Sequence, residues 1–275
     1  MYLEFFGLRE YPFALTPDTG FFCADENRRA ALTLLHFALD NGEGFVKITG
    51  EVGTGKTTLC RTLLSRMGPG FRSAYILNPQ QTPRSLLRAI AADLGVAVGM
   101  DQDPLEAIHQ SLLQAAAAGQ RVVLLVDEAQ TLSDAALESI RLLSNLETEK
   151  SKLIQIVLFG QPELDIRLQQ PQLRQLRQRI GFHHALLPLS REESAVYLEH
   201  RLRHAGYTGG PLFRPEALRL LQRSSGGTPR LLNLLGHKSL LAAYGAGRRS
   251  IGRREVLRAM ADTPQARQRR LWWRP

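Results

Sequence analysis

The sequence contains little cysteine, few aromatic residues and no long apolar run. Its 275 residues include two cysteines, Cys23 and Cys60, and 7% aromatic residues. Two cysteines without metal-ligand spacing exclude a disulfide framework, and we expect Cys60 to be a packing residue. No run of about 18 apolar residues suits a membrane span, and the first residues lack the basic-then-apolar order of a signal peptide. We therefore expect a soluble, cytoplasmic protein.

The charge of the chain is unevenly distributed. The net charge is +9, and residues 245–275 contain nine arginines against Glu255 and Asp262, a net +7 that leaves +2 for the preceding 244 residues. The last residues combine arginines with Trp272 and Trp273, which suits nucleic acid, an anionic membrane surface or an acidic partner. A disordered, solubilising end is the alternative interpretation.

A glycine-rich segment fits the phosphate-loop pattern G-x-x-x-x-G-K-[ST]. It follows a predicted buried strand at 44–49 and precedes a predicted helix at 57–64. Glycines let backbone N–H groups turn inward around phosphates, and a helix N-terminus adds a favourable dipole. We expect Lys56 to contact phosphate and Thr57 to bind Mg²⁺. The predicted nucleotide-binding residues are Gly50, Glu51, Val52, Gly53, Thr54, Gly55, Lys56, Thr57 and Thr58.

A second acidic motif follows another apolar strand. Residues 121–126, RVVLLV, are typical of a central parallel strand, and Asp127 and Glu128 come directly after them. This is a Walker B arrangement, in which Asp127 holds Mg²⁺ and Glu128 polarises the attacking water. The two motifs together predict hydrolysis of ATP rather than binding alone.

Apolar and helical segments alternate as in a doubly wound α/β domain. We predict five parallel strands, at 44–49, 72–77, 121–126, 153–159 and 180–187, with helices at 82–94, 103–117 and 133–146. Four further helices are predicted at 190–204, 214–223, 228–244 and 253–261. At 275 residues and 44% hydrophobic content, one large and one small domain are expected. The predicted segments are 1–43, an N-terminal strap and helix; 44–188, the ATPase core; 189–262, a helical lid; and 263–275, a basic tail.

Additional polar residues are candidates for sensing or catalysis. Gln161, after the fourth strand, is a candidate for orienting water or the γ-phosphate, with a loop-capping role as the alternative. Arg230 begins a lid helix and is a candidate phosphate sensor, with a surface ion pair as the alternative. An arginine before the fifth strand could act in a neighbouring subunit as an arginine finger, and Arg179 and Arg177 rank above Arg174. A solvated helix face is the alternative for these three.

Motifs spread along the chain carry a family resemblance. They are Phe5-Phe-Gly-Leu8, Pro12-Phe13, Leu15-Thr-Pro-Asp18, residues 50–58, Asp127-Glu-Ala-Gln130, Leu142-Leu-Ser-Asn-Leu-Glu147, Gly160-Gln-Pro-Glu-Leu164, residues 173–180 and Gly227-Thr-Pro-Arg-Leu-Leu-Asn233. The sequence resembles the AAA+ ATPases of the general secretion pathway protein A group over about residues 1–262. Within that family it is most similar to the ATPases of mannose-sensitive haemagglutinin (MSHA) pilus biogenesis.

The resemblance implies an AAA+ P-loop fold with a helical lid, Mg²⁺-dependent ATP hydrolysis and a homo-oligomer such as a hexamer. It also implies that hydrolysis drives assembly or conformational change of a type IV (MSHA-like) pilus or type II secretion machine. The expected partners are machinery components at the inner membrane, with peripheral contact through the basic tail. The segment around Phe5 and Pro12-Phe13 resembles the family's adenine-side strap. Secretion-pathway members continue into a membrane span and a peptidoglycan-binding region, so cell-wall anchoring is not implied here.

Two other functions stay open at this stage. Transposition-type AAA+ regulators share these motifs, and the basic, aromatic end of the chain suits a filament on DNA. Such binding would weaken steeply with salt, because neutralised phosphates release counterions. The second is a nucleotide-gated scaffold without turnover, against which Glu128 argues.

Overall fold

The computed structural model describes residues 2–77, 79, 82–148 and 151–266. The chain divides into two compact units. The sheet unit comprises Glu26–Val52 and Leu59–Leu186, and the helical unit comprises Met1–Asp25, Gly53–Thr58 and Leu187–Pro275. The domain boundaries predicted from the sequence stay predictions, and residues 267–275 of the predicted basic tail lie outside the described residues.

The sheet unit is built on five parallel strands in the order β2-β3-β4-β1-β5. They are β1 (Phe45–Gly50), β2 (Phe71–Ile76), β3 (Arg121–Val126), β4 (Gln155–Gly160) and β5 (Phe182–Leu186). The predicted five-stranded parallel sheet is therefore confirmed. Because the strands are parallel, the segments that follow β1, β3 and β4 leave the sheet at one edge, which we call the carboxyl edge.

The burial of each strand corresponds to its position in the sheet. All six residues of β4 and five of the six in β3 are buried, as expected for apolar strands covered on both faces. In β5, an outer strand, Leu186 alone is buried, which matches its polar sequence FHHAL. The apolar strands thus occupy the centre of the sheet, and the strands with polar residues lie at its sides.

Helices connect the strands at or near the predicted positions. They are α2 (Glu26–Asp40), α3 (Lys56–Arg66), α4 (Pro83–Asp93), α5 (Pro104–Ala117), α6 (Asp134–Leu143), α7 (Pro162–Leu168) and α8 (Arg174–Arg179). Helix α6 ends three residues earlier than predicted, where the Ser144 hydroxyl donates to the Arg141 carbonyl at 2.6 Å. The short helices α7 and α8 were not among the predicted helices, because seven and six residues give too little periodicity to recognise.

The helical unit packs the N-terminal residues against the C-terminal helices. Its helices are α1 (Tyr2–Phe6), α9 (Arg191–His204), α10 (Pro215–Ser225), α11 (Pro229–Gly245) and α12 (Arg253–Ala261). The side chains of Tyr2, Phe6 and Phe13 are buried with leucines of α9 and α11 in one apolar cluster. The N-terminal segment is thus a structural part of this unit.

A buried arginine fixes the N-terminal segment. Arg201 of α9 is 7% exposed, and its guanidinium donates to the carbonyl oxygens of Pro12 at 2.5 Å and Ala14 at 3.3 Å. It also donates to the Tyr197 hydroxyl at 3.2 Å and lies 4.6 Å from the centre of the Phe21 ring. This one side chain therefore satisfies two carbonyl groups of a segment that has no regular secondary structure.

We expect Arg201→Ala to lower the free energy of unfolding by about 3 kcal/mol, because it removes charge-assisted bonds and leaves the buried Pro12 carbonyl without its partner. Urea unfolding followed by circular dichroism measures this loss. Arg203→Ala is the matched control, since Arg203 is exposed and pairs with Glu199 four residues away, a contact expected to contribute under about 0.5 kcal/mol. Equal losses in the two variants would contradict the assigned role of Arg201.

Candidate nucleotide site

The phosphate-loop pattern lies between a strand and a helix. Strand β1 ends at Gly50 and α3 begins at Lys56, as the motif predicts. Gly53 and Gly55 have φ angles of 81° and 100°, in the region that favours glycine. These glycines reverse the chain in front of a helix N-terminus, the arrangement in which backbone N–H groups bind phosphate.

The loop also touches the first turn of a helix in the helical unit. The Arg230 N–H, at the second residue of α11, donates to the Gly53 carbonyl at 3.2 Å. A Cβ atom on Gly53 would lie 2.7 Å from the Arg230 Cβ and 3.1 Å from the Thr228 methyl group. Glycine is therefore required at this point, and the contact places Arg230, whose side chain is exposed, beside the loop.

The acidic pair follows β3 at the carboxyl edge. Asp127 is fully buried, and its carboxylate accepts from the Glu128 N–H at 2.9 Å and from the Tyr75 hydroxyl at 3.4 Å. Burial, followed by the proximity of Cys60 and Asp127, raises the pKa of Tyr75, so its hydroxyl stays protonated as a donor. Glu128 has a φ of 52° and is the one non-glycine residue with positive φ in the described part of the chain. Such backbone strain is typical of functional sites.

The Glu128 carboxylate belongs to a hydrogen-bonded cluster with two glutamines. Its Oε2 atom accepts from the Gln130 side-chain amide at 2.5 Å and from the Gln161 side-chain amide at 3.1 Å. The Gln161 backbone N–H donates to the Gln130 side-chain oxygen at 2.9 Å. Because β4 lies between β3 and β1, Gln161 at its end is central on the carboxyl edge. The structure thus brings Gln161 to the carboxylate that sequence reasoning selected.

Sequence reasoning assigned no role to Gln130 or Arg167. The Arg167 guanidinium donates to the carbonyl oxygens of Gln130 at 2.8 Å and Leu132 at 2.6 Å, and to the Asp134 carboxylate at 2.5 Å. The hydrogen bond from Arg167 is the main cause that lowers the pKa of Asp134. The feature of the sequence that could have identified Gln130 is its position in the motif Asp127-Glu-Ala-Gln130, close to the acidic pair. Through its hydrogen bonds to carbonyl oxygens, Arg167 stabilises the turn that contains Gln130.

The three candidate finger arginines lie on α8, away from the buried face of that helix. Arg174, Arg177 and Arg179 are exposed, while Leu176 is buried. Arg179 donates to the Ser144 carbonyl at 3.2 Å. The polar face of α8 therefore carries three exposed arginines, of which Arg179 also contacts the Ser144 carbonyl, and their role in a neighbouring subunit stays a prediction.

Comparison with known proteins finds an AAA domain and a related secretion-pathway protein. A family profile described as an AAA domain matches residues 39–168. General secretion pathway protein A of Aeromonas hydrophila is 44% identical over 275 residues, covering 99% of this chain and 50% of that protein. The chain contains an AAA domain and is similar to general secretion pathway protein A over nearly all of its own length. It spans about half the length of that relative.

Solved structures support the fold at lower identity. The crystal structure of Cdc6p from Pyrobaculum aerophilum has a TM-score of 0.69 at 21% identity, covering 89% of this chain and 70% of that one. Drosophila ORC bound to DNA has a TM-score of 0.68 at 20% identity, covering 95% of this chain and 66% of that one. These likenesses establish the AAA+ P-loop fold.

Among the described residues, we find no helix with the length and apolar character to cross a membrane.

Proposed function

We propose that this AAA+ protein binds Mg·ATP and hydrolyses it. The observation that carries the proposal is the cluster of Glu128, Gln130 and Gln161 at the carboxyl edge of the sheet. Two amide groups hold one carboxylate oxygen of Glu128, which orients the side chain and leaves its other oxygen to accept a proton from water. A general base must be held within hydrogen-bond reach of the water that it activates. The cluster provides such a base.

The loop residues fit the phosphate groups of ATP. Two glycines with positive φ precede α3, and Lys56 is its first residue. Backbone N–H groups and the Lys56 ammonium group would hold the β- and γ-phosphates, with Gly50 to Thr58 forming the loop. Arg230, placed against Gly53, would sense the state of the phosphates through its exposed guanidinium group.

Oxygen donors of the proposed metal site fit Mg²⁺. The Thr57 hydroxyl and the Asp127 carboxylate are hard ligands of the kind that Mg²⁺ takes beside substrate phosphates and water. When bound, Mg²⁺ neutralises charge that develops on the transferred phosphoryl group. The Tyr75 hydroxyl and the Glu128 N–H donate to Asp127 and fix its orientation.

We expect Gln130→Ala to lower the rate of ATP hydrolysis by about tenfold, which corresponds to ~1.4 kcal/mol of lost positioning. The reason is that both Glu128 and Gln161 lose a hydrogen-bond partner in this variant. Steady-state phosphate release at saturating ATP measures the rate. Gln169→Ala, at an exposed glutamine that follows α7, is the matched control. A Gln130→Ala rate equal to that of the control would show that Glu128 is positioned without Gln130.

Assembly is the second part of the proposal. The exposed arginines of α8 suit a finger delivered to the nucleotide of a neighbouring subunit, with Arg179 and Arg177 ahead of Arg174. A homo-oligomer such as a hexamer would then make hydrolysis depend on assembly. The 44% identity to a general secretion pathway protein supports a role in a type IV (MSHA-like) pilus or type II secretion machine, with partners and a peripheral location at the inner membrane.

The test is ATP hydrolysis by the purified protein across a concentration series, with and without duplex DNA. Specific activity that rises with protein concentration and is unaffected by DNA supports an arginine supplied by a neighbouring subunit and a pilus or secretion role. Strong stimulation by DNA favours the rival function, a transposition-type regulator, for which the net charge of +7 in residues 245–275 is the supporting observation. Absence of hydrolysis under all conditions would contradict the enzymatic proposal.

A further inference from the structure

The helical unit contains an arginine-lined pocket that includes no residue of the phosphate loop. Its volume is about 580 Å³, and it lies where the segment before α10 meets the segment before α12. Phe213 and Ile251 form an isolated parallel bridge that joins these two segments. Two carboxylates, Glu216 and Glu255, face five guanidinium groups, a local net charge of +3. The arginines are Arg214, Arg248, Arg249, Arg253 and Arg254.

Contacts within the protein hold three of these arginines in place. Arg214 donates to the Ser250 hydroxyl through two nitrogens, at 3.0 and 3.2 Å. Arg248 donates to the Glu255 carboxylate at 2.9 Å, and Arg249 donates to a carbonyl oxygen of α1 at 2.9 Å. Since these side chains are already ordered, a ligand would lose less conformational entropy in binding to them. The pocket is therefore preorganised.

Positive charge accumulates here at two helix starts, where it is unfavourable. Arg214 is the N-cap residue of α10 and forms no side-chain cap, and Arg253 and Arg254 are the first two residues of α12. The positive end of the helix dipole disfavours cations at these positions and favours anions. Glu255, the acidic residue of the first turn of α12, is 2% exposed and already bonded to Arg248 and the Gly252 N–H. Glu216, in the first turn of α10, offsets one positive charge, and an added anion would relieve the repulsion that remains.

We propose that this pocket binds a compact ligand that carries phosphate groups. Arginine guanidinium groups bind phosphate oxygens in a bidentate geometry, and five of them line one concavity. The volume lies within the range of small-molecule sites, about 300–1,000 Å³. Contacts to a duplex backbone are instead spread over a broad surface. Two sources share the chemistry: a soluble phosphate compound and the phosphodiester headgroup of an anionic phospholipid.

The test compares two double variants with the same change in charge. Arg253→Ala/Arg254→Ala removes two pocket arginines, and Arg219→Ala/Arg258→Ala removes two exposed arginines of the same helices outside the pocket lining. With ADP saturating the phosphate loop, inorganic pyrophosphate is titrated by calorimetry. Vesicles of phosphatidylglycerol in phosphatidylcholine are tested by co-sedimentation, and duplex DNA by fluorescence anisotropy.

We expect the pocket variant to bind pyrophosphate at least about tenfold more weakly than the parent, and the control to bind it within about twofold. If Arg253→Ala/Arg254→Ala also weakens vesicle binding, the phosphate ligand is a lipid headgroup. If vesicle binding by this variant is unchanged, the ligand is a soluble phosphate compound. Equal losses in both variants, no binding of either probe by the parent, or a loss confined to DNA would overturn the proposal. Circular dichroism checks folding, and Arg253→Gln/Arg254→Gln repeats the test if the alanine variant unfolds.

Discussion

Glu128→Gln is expected to reduce ATP hydrolysis by a factor of about 10²–10⁴ while nucleotide binding is retained, since this is the contribution typical of a general base. Glutamine has nearly the shape of glutamate but cannot take a proton from water. Its amide oxygen can still accept the bonds from Gln130 and Gln161, so the cluster keeps its geometry. The change therefore removes the chemistry and leaves the fold in place.

Single-turnover phosphate release and equilibrium binding of a fluorescent ATP analogue separate the two effects of Glu128→Gln. Glu163→Gln is the matched control, because Glu163 is an exposed glutamate at the start of α7 in the same unit. Hydrolysis by Glu128→Gln at the parent rate would show that the role assigned to Glu128 is wrong. Loss of binding together with hydrolysis would instead place Glu128 among the groups that hold the nucleotide.

Gly227→Ala is expected to destabilise the helical unit by about 4 kcal/mol or more, among the largest effects of a single substitution. Gly227 has a φ of 72°, and its carbonyl accepts from the Leu189 N–H at 2.9 Å. A Cβ atom there would overlap the Leu189 carbonyl oxygen and lie 2.9 Å from its carbonyl carbon. Because these are backbone atoms, no side-chain rotation relieves the clash, and the connection before α9 must move.

Gly247→Ala is the control that isolates the clash in Gly227→Ala. Gly247 has a similar φ of 64°, but a Cβ atom there would meet nothing within 4 Å. Its substitution should cost about 1 kcal/mol, the strain of a non-glycine residue in this region. Thermal unfolding followed by circular dichroism compares the two variants. Similar midpoints would mean that the chain near Leu189 shifts easily, contrary to the expected rigidity.

The fold was readable from the sequence because its signals are local. Strand β3 was predicted with its observed bounds, since Arg121 is followed by five apolar residues that end at an acidic pair. The phosphate loop was placed between its strand and helix for a similar reason, because the motif fixes glycine, lysine and threonine within nine residues. Chain order alone could not show that β4 lies between β3 and β1, which makes Gln161 central on the carboxyl edge.

Residues whose partners are distant in sequence escaped prediction. Arg201 contacts carbonyl groups nearly 190 residues away, and the contact of Arg167 with Gln130 crosses 37 residues. An arginine on a helix pattern looks like a solvated side chain unless its tertiary partners are known. The arginine pocket was also hidden. The sequence displayed the excess charge of residues 245–275, but not that Arg214 joins four of these arginines at two helix starts.

The close approach of Gly53 to α11 has a mechanical consequence. The Gly53 carbonyl accepts from the Arg230 N–H, and the two segments leave no room for a methyl group between them, so a shift of the phosphate loop would displace the first turn of this 17-residue helix. Further along α11, His237 accepts or donates a hydrogen bond at 2.9 Å with the Tyr2 hydroxyl of α1. A rigid helix would thus carry a displacement at the phosphates over about 10 Å to the N-terminal segment, at 1.5 Å per residue. Binding of a nucleotide would then alter the protein surface around α1.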